Sequence, residues 1–330
     1  MRRVPAGSFA RLTDHVALWR AYRACRRGKS RQPRMAWFDL DADRKILELH
    51  RALRNGRYRP RPWTLRVIAD PKVRIIAAPA IRDRIVQRAL LDEIGPAYEQ
   101  GYRPEHFAQS QAKGPLRACL TFLRLQRRHR HRVHLDVRRY FASIHLPTLR
   151  RLMFRRLRDP CTRQLIDRQL ASHAAVYESP LAVAALDLER APLPTESGLS
   201  LGSYLSQWAG AFYLDGLDHH VKRELKAPGY VRYTDDFVLF DDDAGRLREA
   251  RAQIAAWLQR ERGLELNRKR WHVVPNREPA VFLGYRISRA GVSASRKLRR
   301  RLDARLRVAA AQSPAQLERV VASYRGLLCF

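Results

Sequence analysis

A chain of 330 residues with 45% hydrophobic content can bury a sizeable core in two or three subdomains, which excludes a wholly disordered protein. Its 65 Lys and Arg against 32 Asp and Glu leave a formal net charge of +33, which opposes compaction unless a polyanion neutralises it; nucleic acid is the natural one. No apolar run approaches the ~20 residues that span a bilayer, and the start MRRVPAGSFARLTDH lacks an apolar signal region, so the reading is no membrane partner and a cytoplasmic protein.

Taken in chain order, apolar residues at helical spacing (Leu12, Val16, Leu18, Trp19, Tyr22) predict a helix over 9–26, then a basic linker to 34. Ile46, Leu47, Leu49 and Leu53 predict a second helix over 41–54, ended by Asn55-Gly56. Short strands at 65–69 and 74–78, joined across Asp70-Pro71-Lys72, read as a basic hairpin. A helix over 81–94 should stop at Gly95-Pro96, and another over 114–127 runs into a basic stretch to 132. A strand at 133–137 and helices at 147–158 and 161–172 follow, then an irregular connection over 178–197 and a long helix over 203–226. Strands at 230–233 and 237–240 flank Thr234-Asp235-Asp236. Beyond them lie a helix over 244–262 capped by Asp243, strands at 271–274 and 281–287, and a basic helical tail from 295 with a break at Ser313-Pro314.

Tyr233-Thr-Asp-Asp236 carries the chemistry. Two apolar strands flank a tight turn, so adjacent carboxylates are presented at a hairpin tip while the strands stay buried. Alone they would be ordinary acidic turn residues. Asp136, at the end of an earlier apolar strand, can face the same tip. Three carboxylates holding two Mg²⁺ ions, with Mn²⁺ as a substitute, are a device for in-line nucleotidyl transfer. The run Asp241-Asp242-Asp243 precedes a helix, so capping and solvation explain it better. Cys25, Cys119, Cys161 and Cys329 form no CxxC pair, and His129, His131 and His134 lie among arginines, so no zinc site is expected. Trp37, Trp63, Trp208 and Trp271 read as core or template-stacking residues.

From about residue 65 through 285, the order of segments resembles the reverse transcriptase family of bacteria and their mobile elements. Leu135-Asp136-Val137 through Phe141 is similar to its first catalytic motif, Tyr233–Asp236 to its second, and Phe282-Leu283-Gly284-Tyr285 to its primer grip. Leu264-Glu-Leu-Asn267 with Lys269 or Arg270 resembles the segment that sets a basic group near the triphosphate. Pro71-Lys72-Val-Arg74 and Arg82-Asp-Arg84-Ile-Val-Gln87 resemble fingers segments, with Lys72 and Arg74 on the incoming phosphates. The resemblance implies an α+β right-hand polymerase: N-terminal helices and fingers over 1–110, a palm with an antiparallel sheet over 111–288 with a fingers-like insertion near 145–200, and a short basic thumb over 289–330. It implies catalysis by Asp136, Asp235 and Asp236, and metal ligation by these and Val137. Nucleotide contacts would fall to Lys72, Arg74, Phe141, Leu201, Gly202, Gln207 and Lys269. Phe141 would sit under the sugar and select dNTPs, unless it is only core. The partners implied are an RNA template, a DNA or RNA primer and dNTPs.

Gly198-Leu-Ser-Leu201-Gly202-Ser-Tyr-Leu-Ser206-Gln207 carries the subfamily signal. Relatives usually have Gln-Gly and later Ser-Pro here. The form in this chain resembles diversity-generating retroelement enzymes, which implies error-prone copying and a small basic accessory protein. One departure is Ser110, where relatives carry an Arg before the Lys113-Gly114 pair. It points to a divergent lineage such as a defence-associated (retron- or abortive-infection-like) reverse transcriptase; a separate alternative is a non-catalytic RNA-binding polymerase homologue, against which the three intact acids argue.

Overall fold

The computed structural model describes residues 3–69, 73–108 and 113–328, so Lys72, Ser110 and Cys329 lie outside the described residues. The protein is a mixed α+β molecule whose paired strands are all antiparallel among the described residues. It divides into two compact units, one of Met1–Tyr102, Arg138–Gly216 and Leu258–Glu265, the other of Arg103–Val137, Leu217–Trp257 and Leu266–Phe330.

The first unit is mostly helical, and it departs from the sequence reading in four places. The helix predicted over 9–26 is two, Ser8–Thr13 and His15–Arg26. Asp14 between them is extended, and its carboxylate accepts from Val16 N–H and Ala17 N–H, the better use of an acid at a helix boundary. The expected basic linker contains a helix, Pro33–Asp39, started by a proline whose fixed φ suits the first turn. The helix Ile81–Glu99 runs through Gly95-Pro96. An internal proline costs about 3 kcal/mol. Packing opposes that here: Tyr98 is buried, donates to the Met153 carbonyl at 2.6 Å and meets the Trp208 ring edge-on at 5.3 Å. Within the stretch expected to be irregular, Ser179 caps the helix Pro180–Leu186, and Ala182 packs into a small core with Ile75, Ala77 and Val176. The hairpin of β1 (Thr64–Ile68) and β2 (Arg74–Ala78) is in register from Thr64↔Ala78 to Ile68↔Arg74.

The second unit is built on β3 (His131–Asp136), β4 (Gly229–Tyr233), β5 (Asp236–Asp241) and β6 (Val273–Pro275), in the order β4-β5-β3-β6. A separate sheet holds β7 (Ala280–Phe282), β8 (Tyr285–Ser288) and β9 (Gly291–Ala294). The apolar run over 281–287 is therefore a hairpin, because Leu283 (φ 51°) and Gly284 (φ 87°) turn the chain between β7 and β8. The helix Pro115–Arg128 buries Ala118, Cys119 and Phe122 against Val231, Val238, Phe240 and Phe282, joining both sheets in one core. The tail helices Arg296–Gln312 and Pro314–Leu328 break at Ser313.

The long helix expected over 203–226 is three pieces: Tyr204–Tyr213, Asp215–His219 and a π-turn at His220–Glu224. The chain breaks at Leu214 and again at His220, and the short piece between carries two buried acids, each with its own arginine: Asp215 lies 3.5 Å from Arg156 in the first unit, and Asp218 lies 2.6 Å from Arg232 in the second.

Candidate active site

The carboxylates are placed by strand register. β3 pairs with β5 from His131↔Asp241 to Asp136↔Asp236, and β4 pairs with β5 up to Tyr233↔Asp236. Asp136 and Asp236 thus stand side by side at the same end of the sheet, on one face by the two-residue period of strands. Thr234 and Asp235 form the loop, and Thr234 takes φ 58°, a left-handed conformation that costs an L-residue about 1–2 kcal/mol.

A buried ion pair supports that loop. The Arg232 side chain is fully buried, and its Nε and Nη2 donate to the two Asp218 oxygens at 2.6 Å each. Its Nη1 donates to the Thr234 carbonyl at 2.8 Å. Tyr230 donates to the same Asp218 at 2.7 Å. The Arg232 backbone is bonded on both sides to the 105–107 segment, and Lys113 Nζ donates to three carbonyls of that neighbourhood, those of Arg103, Pro104 and His106. Sequence reading missed Asp218 and Arg232. The available signal was an arginine inside an otherwise apolar strand, whose buried guanidinium needs oxygen acceptors close by.

Two polar side chains hold the acids. Asn267 donates from its backbone to the Asp136 carbonyl at 2.8 Å and from Nδ2 to Oδ2 of the same residue at 3.1 Å. Asn267 also accepts from Lys269 N–H, so the turn bearing exposed Lys269 is tied to Asp136. His134 Nε2 is hydrogen-bonded to Asp236 Oδ1, and its ring lies 5.8 Å from Phe282, beside the Leu283-Gly284 turn. From the sequence His134 suggests only a zinc role, yet its place two residues before Asp136 puts it on the same strand face. Val137 is buried and bridged to Leu266.

By donor chemistry the residues fit a hard divalent cation, since all three side chains are carboxylates. In this conformation Asp136 turns to Asn267 and Asp236 to His134. Among the described residues no group of three or more His, Cys, Asp or Glu converges to hold a metal ion.

The other predicted contacts lie in the first unit. Ala77 N–H donates to the Leu201 carbonyl at 2.6 Å, so Leu201 extends the β2 edge two residues from exposed Arg74. Gly202 follows at φ 117°, and a Cβ there would stand 2.4 Å from the Ala77 carbonyl oxygen. Ser203 caps the next helix by accepting from Ser206 N–H at 2.9 Å, which leaves Gln207 exposed on its first turn. Half-buried Phe141 rests on Gly210, where a Cβ would come within 2.9 Å of its ring, and Tyr140 donates to the Gly210 carbonyl. The structure thus groups Arg74, Phe141, Leu201, Gly202 and Gln207 in one unit, and the carboxylates, Val137, Lys269 and Phe282–Gly284 in the other.

A family described as "Reverse transcriptase (RNA-dependent DNA polymerase)" matches residues 69–287. Protein YkfC of Escherichia coli (strain K12) is 27% identical over 276 residues, covering 72% of this chain and 69% of that protein. The solved structure of apo telomerase from Candida tropicalis aligns over 72% of this chain at 11% identity, with a TM-score of 0.45. This chain spans 49% of that telomerase chain.

Proposed function

Because the chain belongs to the reverse transcriptase (RNA-dependent DNA polymerase) family, we propose that Asp136, Asp235 and Asp236 are its catalytic carboxylates and that they hold two divalent ions, Mg²⁺ or Mn²⁺, for addition of dNTPs to a primer on an RNA template. The observation that carries this reading is the Asp136↔Asp236 register, one residue from a loop that presents Asp235. Asp136, Asp235 and Asp236, with Val137, would ligate the ions once the Asp136 and Asp236 side chains leave Asn267 and His134. Bound metal supplies acidification of a primer 3′-hydroxyl and neutralisation of the triphosphate.

The chain's own residues prepare that step. The Arg232–Asp218 pair fixes the loop through the Thr234 carbonyl, so Asp235 is held without further ordering. Phe282-Leu283-Gly284 forms a tight hairpin suited to a primer grip, beside His134. Phe141, on the Gly210 backbone, would exclude a ribose 2′-hydroxyl. Lys72, Arg74 and Lys269 would meet phosphates, and Leu201, Gly202 and Gln207 the base pair being formed. In this reading the fingers run to about 110, the palm to about 288, and a short thumb follows. A cytoplasmic location goes with this reading.

We assign the enzyme to the diversity-generating retroelement class, with error-prone copying and a small basic accessory protein. Leu201 in place of a glutamine amide supports this. The Ser110 departure favours a second reading, a defence-associated enzyme; a template and variable repeat pair in the flanking DNA would decide for the first. Primer extension on primed RNA with dNTPs and Mg²⁺ tests the activity. Leu201→Gln should lower misincorporation opposite template adenine, and an unchanged error spectrum would overturn the error-prone assignment.

A further inference from the structure

The second unit carries a cleft of about 620 Å³ lined by Arg127, Arg128, Arg130, Arg248, Arg277 and Arg289, with His129 and His131 among them. All six arginines are exposed, and among the described residues none lies within ion-pairing distance of a carboxylate. The flanking acids are already engaged: Asp242 accepts from Arg130 N–H at 2.9 Å and stands 3.6 Å from His129 Nδ1, and Asp241 stands 3.7 Å from Arg246. Glu278, next to Arg277 in the chain, is exposed.

The cleft is built on a fixed backbone. Asn276, 2% exposed, donates from Nδ2 to the carbonyls of His129 and His131 and from its N–H to that of Arg130. Arg127 Nε donates to the Arg289 carbonyl at 2.9 Å, and Arg289 Nη2 returns a bond to the Arg127 carbonyl at 3.2 Å. Beneath the surface, buried Arg132 spends its donors on the carbonyls of Pro275, Glu278 and Pro279 and on Asn276 Oδ1, adding a further cation with no carboxylate bonded to it. Seven guanidinium groups in one small region repel one another, and the repulsion is relieved by a ligand with several negative charges in a row.

The position is separate from the carboxylates. The cleft includes His131, at the start of β3, and Asp136 ends that strand, five residues and about 17 Å away at ~3.4 Å per residue. The lining has no Phe, Tyr or Trp to stack a base, and only Ala244, Val273 and Pro275 as apolar surface. That composition suits phosphates held by guanidinium forks, and it suits neither a lipid surface nor an apolar peptide.

We infer that this cleft binds the sugar–phosphate backbone of an RNA segment lying outside the catalytic end. The inference rests on the reading of the chain as an RNA-copying enzyme, and it adds a second RNA contact to it. The experiment compares the full-length protein with the Arg130→Gln/Arg277→Gln/Arg289→Gln triple variant. Binding of a labelled 40-nucleotide stem-loop RNA is titrated against KCl, and single-nucleotide addition is measured on a short primed RNA. The triple variant should lose about 2–3 from the slope of log K against log salt, and roughly a hundredfold in affinity near ~0.15 M salt, at about 0.9 per phosphate contact. The corresponding Arg→Lys triple should recover most of the slope, which a purely structural role of these arginines would not do. An Arg248→Gln/Arg277→Gln pair repeats the test should the first variant fold poorly. An unchanged slope overturns the inference, as does displacement of the RNA by poly-glutamate as readily as by unlabelled RNA, which would assign the cleft to an acidic protein. Failure of the wild-type protein on the short primed RNA would instead count against the catalytic reading, with the binding comparison still readable.

Discussion

At the scale of single residues, the Arg232–Asp218 pair is the clearest structural support of the proposed site. Both side chains are fully buried, so removing one partner strands a charge without water. Asp218→Asn should lower unfolding free energy in urea by about 3–5 kcal/mol, and Arg232→Lys should not restore it, because an ammonium cannot reproduce the forked contact with Asp218 and the bond to the Thr234 carbonyl. A second residue-scale prediction concerns His173. Its ring is buried against Trp63 and Ser200, and burial pushes its pKa down to about 3. The unfolded chain binds a proton near pH 6.5 that the folded chain refuses, so its contribution to stability is complete above that pH and falls as pH drops from about 6.5 toward 3. Buried His106 is shifted the same way, by burial first and then by Arg232 and Lys113. His173→Leu should therefore reduce the slope of stability by about half a proton at pH 6.5, rising to nearly one proton, about 1.4 kcal/mol per pH unit, at pH 5, without abolishing it. An unchanged slope in the variant would show that the ring titrates freely.

At the scale of elements, short apolar runs made β3, β4 and β5 legible, since β4 and β5 are buried along almost their whole length, and the turn residues between them placed the loop. The failures came where long-range partners outweighed local signals. Gly95-Pro96 reads as a stop, but Tyr98 and Trp208 hold the helix through it. The 203–226 stretch reads as one helix but is three pieces, of which the middle one, Asp215–His219, carries two acids that each meet a buried arginine. The Leu283-Gly284 turn was hidden because leucine is a poor marker for positive φ. Glycine positions give a contrast that tests this level. Gly202→Ala combines φ 117° with a 2.4 Å clash against backbone and should lower the melting temperature sharply. Gly284→Ala, at φ 87° with nothing within 4 Å, should cost only about 1 kcal/mol. Equal losses in thermal melts would contradict the close approach of Leu201-Gly202 to β2.

At the scale of the whole molecule, the net charge of +33 was legible at once as a polyanion signal, and the family match over 69–287 agrees with it. What composition could not locate is where the charge is left uncompensated, since that depends on which arginines find acids: Arg11, Arg26 and Arg44 are paired, and among the described residues the six of the cleft are not. The residues that hold the carboxylates, Asn267 and His134, were likewise adjacent to recognised motifs without being assigned a task, because hydrogen bonds across strands are not written in spacing. The central claim is that Asp136, Asp235 and Asp236 perform metal-dependent nucleotide addition. Single-turnover incorporation of one dNTP on primed RNA with Mg²⁺ tests it most directly, comparing wild type, Asp136→Ala and Asp235→Ala at saturating RNA. The wild type should extend the primer, and each variant should bind the RNA as well while losing about a thousandfold or more in rate, since several kcal/mol of charge stabilisation go with the lost ligand. Primer extension that persists undiminished in Asp235→Ala would contradict the assignment.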